Sequence, residues 1–243
     1  MEQSTKELGQ AFAGAPTNTE DGSMVFFNPA AMSQVRGRLV SVSGYLIVPS
    51  VAFENKASQL SSMVGGTSLR GGNGGDSASL VLIPNFYYVQ SLTERIAFGL
   101  GINVPFGMQN SYQSDWKGRY QAIDSELMTI NINPALSLKI TEKVSFGVGF
   151  NIQYLRSKLT NAIDFGSVCL QALGSTPCAN HGLLPQEADG HVALKGHSVG
   201  LGYNFVSSIH QTNTLAWVLA IDQKLFMMCA VMQTFQFLVM LLY

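Results

Sequence analysis

The chain has 243 residues, a formal net charge of −1, 12 % charged side chains and 24 glycines. That balance removes the electrostatic case for nucleic acid, and no basic stripe with interleaved aromatics is present. Charge at about half the share usual in soluble domains, beside abundant glycine, suits a lipid surround better than water.

Residues 1–37 carry no strand pattern. Met1 to Lys6 is polar and no apolar leader core follows it, so for an exported chain the leader has been removed or the start lies further upstream. Ser4 to Ala13 predicts a short helix with Leu8 and Phe12 on one side, and Thr17 to Gly22 a polar turn. In VFFNPAAM, Val25 to Met32, Asn28 suits an N-cap and Pro29 the first helical position. A small helix is expected from there through Ala30, Ala31 and Met32.

Residues 38–49 read as a first strand, with Val40, Val42, Leu46 and Val48 alternating against Ser41, Ser43 and Tyr45. Ala52 to Ser79 reads as a flexible outer loop. Its GGTSLRGGNGGDS run lacks the Gly-Lys-Ser/Thr and the framing strand and helix of a phosphate loop.

Two stretches then rhyme: Pro84 to Asn103 and Pro134 to Asn151. Each has an alternating run, a corner (Thr93-Glu94-Arg95, Thr141-Glu142-Lys143) and a second run built on Phe-Gly-x-Gly. In the first, Ile96, Phe98, Leu100, Ile102, Val104 and Phe106 alternate with Ala97, Gly99, Gly101, Asn103 and Gly107. In the second, Met128 to Ile140 and Val144 to Tyr154 put apolar residues at even positions. Thr129, Asn131, Asn133, Ser137, Ser145, Gly147, Gly149 and Asn151 fall at odd ones. Period two means strands with two faces. A soluble sandwich would show Lys, Glu or Thr on its wet face; here that face is Gly, Ser and Asn. Spans of about 9–11 residues with an apolar outer band and a small, polar inner face are the pattern of a transmembrane β-barrel.

Between the hairpins, Met108 to Asp124 carries Tyr112, Trp116 and Tyr120. An interfacial aromatic girdle is the preferred reading, with ligand binding as the alternative. Past Tyr154 the alternation breaks, because Arg156 and Lys158 fall at even positions and Leu155 and Leu159 at odd ones. Either the strand has left the membrane or a bulge has shifted its register. Arg156 could then snorkel to the interface. Ala162 to Leu194 reads as a long mixed loop, in which Cys169 and Cys178 could be a disulfide or two free thiols. No metal spacing, Ser/His/Asp set or paired carboxylates call for an enzyme or a cofactor. The last legible strand is Ser198 to Phe205. After it the alternation stops, and Lys224 to Tyr243 is apolar enough to span a bilayer as a helix. Read one base out of frame with allowed codons, Asn213 to Lys224 becomes HTRLGLSYRSK, strand grammar again. A frame change near Phe205–Val206 is therefore expected.

Gly9, Ala11, Ala13 and Gly14, then Asn28-Pro29-Ala30, then the hairpins, in that order, resemble the FadL/TodX-type outer-membrane family of long-chain fatty acid and hydrocarbon transporters. VPFGMQNSY, WKGRYQAIDSELMTININPALSLKI and FGVGFNIQYLRSKL also look like that family. The resemblance covers Gly9 to about Phe205. It implies an all-β, antiparallel fourteen-stranded barrel plugged by an N-terminal hatch that bears the Asn28-Pro29-Ala30 motif. The expected division is a hatch at 1–37, a partial barrel of about six strands at 38–205, and an aberrant tail at 206–243. It further implies passive outer-membrane uptake of long-chain fatty acids or similar hydrophobic molecules by a barrel that is monomeric when complete, with lipid around it. A greasy groove in the 162–194 loop would first catch substrate. Arg156, and with less weight Lys158, would hold the ligand's carboxylate in the lumen. The rival readings are a surface-exposed structural or adhesive barrel, or a fragment that does nothing because its strand edges stay open.

Overall fold

The structure, a computed structural model, describes residues 2–212 and 215–222. Eight strands form one antiparallel sheet, the wall of part of a barrel: β1 Arg38–Ile47, β2 Val81–Ser91, β3 Ile96–Asn103, β4 Gly107–Ser111, β5 Asp124–Lys139, β6 Val144–Asp164, β7 Asp189–Thr212 and β8 Leu215–Asp222. The order is β1-β2-β3-β5-β6-β7-β8, with β4 also on β5. No helix among the described residues is long and apolar enough to cross a membrane.

The two faces are those the alternation predicts. Val42, Phe150 and Leu201 point outward and are 74 %, 55 % and 67 % exposed, an apolar outer face. Asn131, Asn133, Ser137 and Asn151 point inward and are buried. The corner rhyme has a local cause. The Thr93 hydroxyl accepts from the amides of Arg95 and Ile96 at 3.2 and 3.0 Å. Thr141 does the same for Lys143 and Val144 at 3.2 and 3.0 Å. A threonine that satisfies its own turn amides makes a compact reversal with no other support.

Several expectations are corrected. The N-terminal helix α1 is only Thr5–Leu8, because Ala11 and Phe12 take positive φ and turn the chain. At Asn28 the helix start is a 3-10 turn, Pro29–Gln34, without a side-chain cap; the Asn28 amide donates to the Pro16 carbonyl at 2.6 Å instead. Of the two alternatives past Tyr154, only the bulge is corrected: β6 keeps one register with β5 and β7 over its whole length. The strand has climbed out of the apolar band, where the outward face no longer needs apolar residues and the period-two signal fades. For the same reason β6 and β7 extend far into the supposed 162–194 loop, to the pair Asp164 and Asp189. Between them lie two helices, α2 Phe165–Leu173 and α3 Ser175–Asn180, joined by a Cys169–Cys178 disulfide. Val168, Leu173 and Leu184 are exposed on this loop.

The strand does not end at Phe205 either. Val206 and Ser208 turn inward and are buried while Ile209 faces out, and Leu215–Asp222 pairs with β7 as β8. The apolar stretch from Lys224 lies outside the described residues.

Trp116 is no girdle residue. It is 7 % exposed, stacks on Tyr112 at 3.8 Å and donates its indole N–H to the Ala122 carbonyl at 2.8 Å. Nearby, buried Arg119 bonds Asp189 at 2.7 Å and the Arg70 carbonyl at 2.7 Å. Burial, then the hydrogen bond it gives Asp189, holds the Tyr120 hydroxyl protonated well above the usual phenol range. The glycine-rich loop is docked on this cluster: Arg70 pairs with Glu187 at 3.0 Å, and Gly72 bridges to Trp116.

Candidate functional site: a plug and a break in the wall

Residues 2–37 lie against the inner face of the sheet. Met24, Val25, Ala31 and Met32 pack with Tyr87, Val89, Ala97 and Ala135 into one buried cluster. Asn28, Ala30 and Ala31 have no exposed surface, and Pro29 is buried with them. The Ala30 carbonyl accepts from Ser137 Oγ at 3.1 Å and from Ser33 Oγ at 2.9 Å. Because the Ser33 proton is committed there, Ser145 donates to Ser33 across 2.8 Å. The Phe-Gly-x-Gly repeat explains the close seat. A Cβ on Gly147 would stand 2.2 Å from the Ala30 nitrogen, and one on Gly99 2.3 Å from Met32 Sδ. Glycine is what lets the plug's backbone touch the wall.

Beneath the plug lies a floor of buried asparagines. Asn85 donates to the Glu2 carbonyl at 3.1 Å, Asn103 to the Tyr87 hydroxyl at 3.3 Å, and Asn133 to the Phe150 carbonyl at 2.8 Å. Asn131 donates to Asn151 at 3.0 Å. The Oδ1 atoms of Asn85, Asn103, Asn131, Asn133 and Asn204 have no protein partner among the described residues. With one amide N–H of Asn85, Asn103, Asn131 and Asn133 given to these bonds, the floor offers several carbonyl acceptors and, at Asn151 Nδ2, a donor.

Beside the plug the wall is broken. β3 pairs with β5 up to Asn103 opposite Asn131, and β4 resumes with Gly107 opposite Met128. That is one residue out of step, so each β4 side chain has changed face. The expected outward alternation through Val104 and Phe106 into an inward Gly107 is therefore corrected: Gly107 and Gln109 share the outward face with Met128 and Glu126, and Met108 faces in with Leu127. Thr129 patches the step. Its hydroxyl accepts from the Phe106 amide at 2.9 Å and donates to the Phe106 carbonyl at 2.6 Å. Across the break, β2 residues Val81 to Asn85 bond to β1 but not to β3. A cleft of about 410 Å³ occupies the gap. Inward Ile83 and Leu127 line it together with outward Leu82 and Ile130, so both faces of the wall contribute to its lining. The N-terminal residues sit at its edge, with Gln3 Nε2 donating to the Val104 carbonyl at 3.3 Å and the Tyr87 hydroxyl to the Gln3 carbonyl at 3.0 Å.

The cations proposed from sequence are elsewhere. Arg156 stands opposite Met128 and His197, in phase with outward Ile152 and Tyr154. Lys158 is likewise outward and paired with Asp124 at 3.2 Å. The lumen role expected of both is corrected on parity: with no bulge, even positions of β6 cannot face the interior. Asn28, Pro29 and Ala30 lie buried in the N-terminal segment that packs on the inner face of the sheet. Missed altogether were Gln3, the one-residue step and the part Thr129 plays in it. The only trace in the sequence was Pro105, which removes one ladder donor.

A family model described as outer membrane protein transport protein (OMPP1/FadL/TodX) matches residues 1–228. Outer membrane protein P1 of Haemophilus influenzae is 26 % identical over 164 residues, covering 65 % of this chain and 36 % of that protein. The long-chain fatty acid transport protein of Escherichia coli K12 is 25 % identical over 177 residues, 72 % of this chain and 38 % of its own length. The crystal structure of a Pseudomonas aeruginosa FadL homologue superposes with a TM-score of 0.68 at 23 % identity, covering 90 % of this chain and 51 % of that one. The chain thus spans about half the length of that solved structure and less of the curated relatives. On the match over residues 1–228, this chain belongs to the OMPP1/FadL/TodX family of outer membrane transport proteins.

Proposed function

We propose that the chain forms the plugged half of an outer-membrane channel for passive uptake of long-chain fatty acids or similar hydrophobic molecules, which leave the lumen sideways through the β3–β4 break. The observation that carries this is the cleft lined from both faces of the wall. An apolar molecule gains nothing by crossing a hydrated interior, whereas Ile83 and Leu127 inside and Leu82 and Ile130 outside offer apolar contact throughout. No chemical step is asked of the protein, and no cofactor. The relatives' names, an outer membrane protein and a long-chain fatty acid transporter, support this location and ligand class. In cells carrying the full-length protein, uptake of radiolabelled oleate should exceed that of a sugar of similar mass, and toluene should compete with it. Equal oleate uptake by cells lacking the protein would overturn the proposal.

Gating falls to the plug. Part of its seat is the buried asparagine floor, and polar surface gains less on burial than apolar surface of the same area. Replacing the bonded pair, Asn131→Leu with Asn151→Leu, exchanges two amides for apolar groups of similar size. The barrel should stay folded, the plug should resist protease better, and oleate uptake should fall about tenfold, the equivalent of about 1.4 kcal/mol. Unchanged uptake with a more protected plug would separate plug stability from gating.

A further inference from the structure

The outer surface of the wall carries charge where its apolar band ends. Along β6 the outward residues run Phe150, Ile152, Tyr154, then Arg156 and Lys158; along β7 their partners run Tyr203, Leu201, Val199, then His197 and Lys195. Arg156 stands opposite His197 and Lys158 opposite Lys195, as consecutive outward pairs. Lys158 and Lys195 are like charges directly opposite each other, an arrangement that weakens a sheet. Asp124 answers Lys158 at 3.2 Å, and Glu126 is the cross-strand neighbour of Lys158 on β5. Among the described residues, Arg156, Lys195 and His197 form no ion pair and give no side-chain hydrogen bond; His197 only faces the Tyr154 ring at 6.5 Å.

The height of this row is set by the fold. Short corners mark the periplasmic end of such barrels and long connections the outer end. From Val144 to Arg156 is about a dozen residues, which at roughly 3.3 Å each and roughly 40° of tilt climb about 30 Å. The apolar band of such a wall is about 25 Å tall. Arg156 and its neighbours therefore emerge at the level of the outer headgroups, directly above exposed Val199, Leu201 and Phe150.

We propose that Arg156, Lys195 and His197, with Lys158 at their edge, dock the phosphate of an outer-leaflet lipid headgroup. A guanidinium supplies paired donors to phosphate oxygens. Asp124 already offsets Lys158, so an anion placed beside Arg156 and Lys195 meets the charge that no protein group answers, and the apolar band below receives the acyl chains. This site is independent of the uptake reading, since it lies on the opposite face of the wall from the plug.

The test is lipid retention. The full-length protein, purified from outer membranes in mild detergent, is incubated with mixed micelles of bis-phosphorylated lipid A, or of the same lipid treated with phosphatase. Lipid bound per protein is read by mass spectrometry. The wild-type protein should retain the phosphorylated form at least about tenfold better, and R156Q/K195Q/H197Q should lose that preference. Inorganic phosphate at the same concentration should not displace the lipid. Equal retention of the two lipids by the wild type overturns the proposal, and that comparison does not depend on any variant folding. Displacement by inorganic phosphate overturns the lipid assignment in favour of a free-anion site. A triple variant that folds and keeps the preference overturns the choice of residues.

Discussion

Deleting Pro105 is expected to abolish uptake while leaving the wall folded. The β3–β4 break adds one residue relative to β5, and removing one residue lets both strands share the register in which Asn103 faces Asn131. The continuous strand could then bond to Val81–Asn85 of β2, which have no β3 partner now. Each added backbone bond contributes about 0.5–1.5 kcal/mol net, so the deletion should raise resistance to heat and protease. It should also fill the cleft between Leu82 and Ile130. Oleate uptake should drop at least about tenfold, to the background of cells without the protein, because the apolar exit is gone. Uptake at the wild-type rate in a folded deletion variant would place the exit elsewhere.

Replacing Gly147 with valine is expected to unseat the plug. The new Cβ would stand 2.2 Å from the Ala30 nitrogen and 2.5 Å from the Pro29 carbonyl carbon. Both are backbone atoms of the motif and have no rotamer to escape into. Overpacking of this kind costs about 1–3 kcal/mol where neighbours can shift, and here the whole plug must move. Trypsin should cut at Lys6 and Arg36 far faster than in the wild type, and small hydrophilic solutes should leak through reconstituted channels. Gly44→Ala is the control, since its Cβ would meet nothing closer than 3.6 Å. A variant at Gly147 that keeps the wild-type cleavage rate would show that the plug does not rest on this strand.

Much of this was legible in the sequence, and the reasons are local. The Thr-Glu corners announce themselves because each threonine satisfies its own turn amides. The faces of β5 and β6 follow from period two, with exposed apolar residues on one side and small, buried polar residues on the other. Even the facing of Arg156 was present in its parity, and the fading alternation around it marked the membrane boundary instead of a bulge. The 162–194 segment misled because strands in water lose the apolar face that betrays them. Trp116 misled because an aromatic at a strand end packs equally well into a loop cluster.

By itself, the sequence determined the all-β wall, its inner and outer faces and the short corners, since each depends on residues near one another along the chain. Tertiary structure alone decided the break beside the plug. Alternation fixes each strand's faces relative to itself, but a one-residue step exists only between strands, when Gly107 meets Met128 instead of Leu127. It also decided what Gly147 is for. A missing Cβ reads as a small inner face until the backbone of Ala30 is found lying against it.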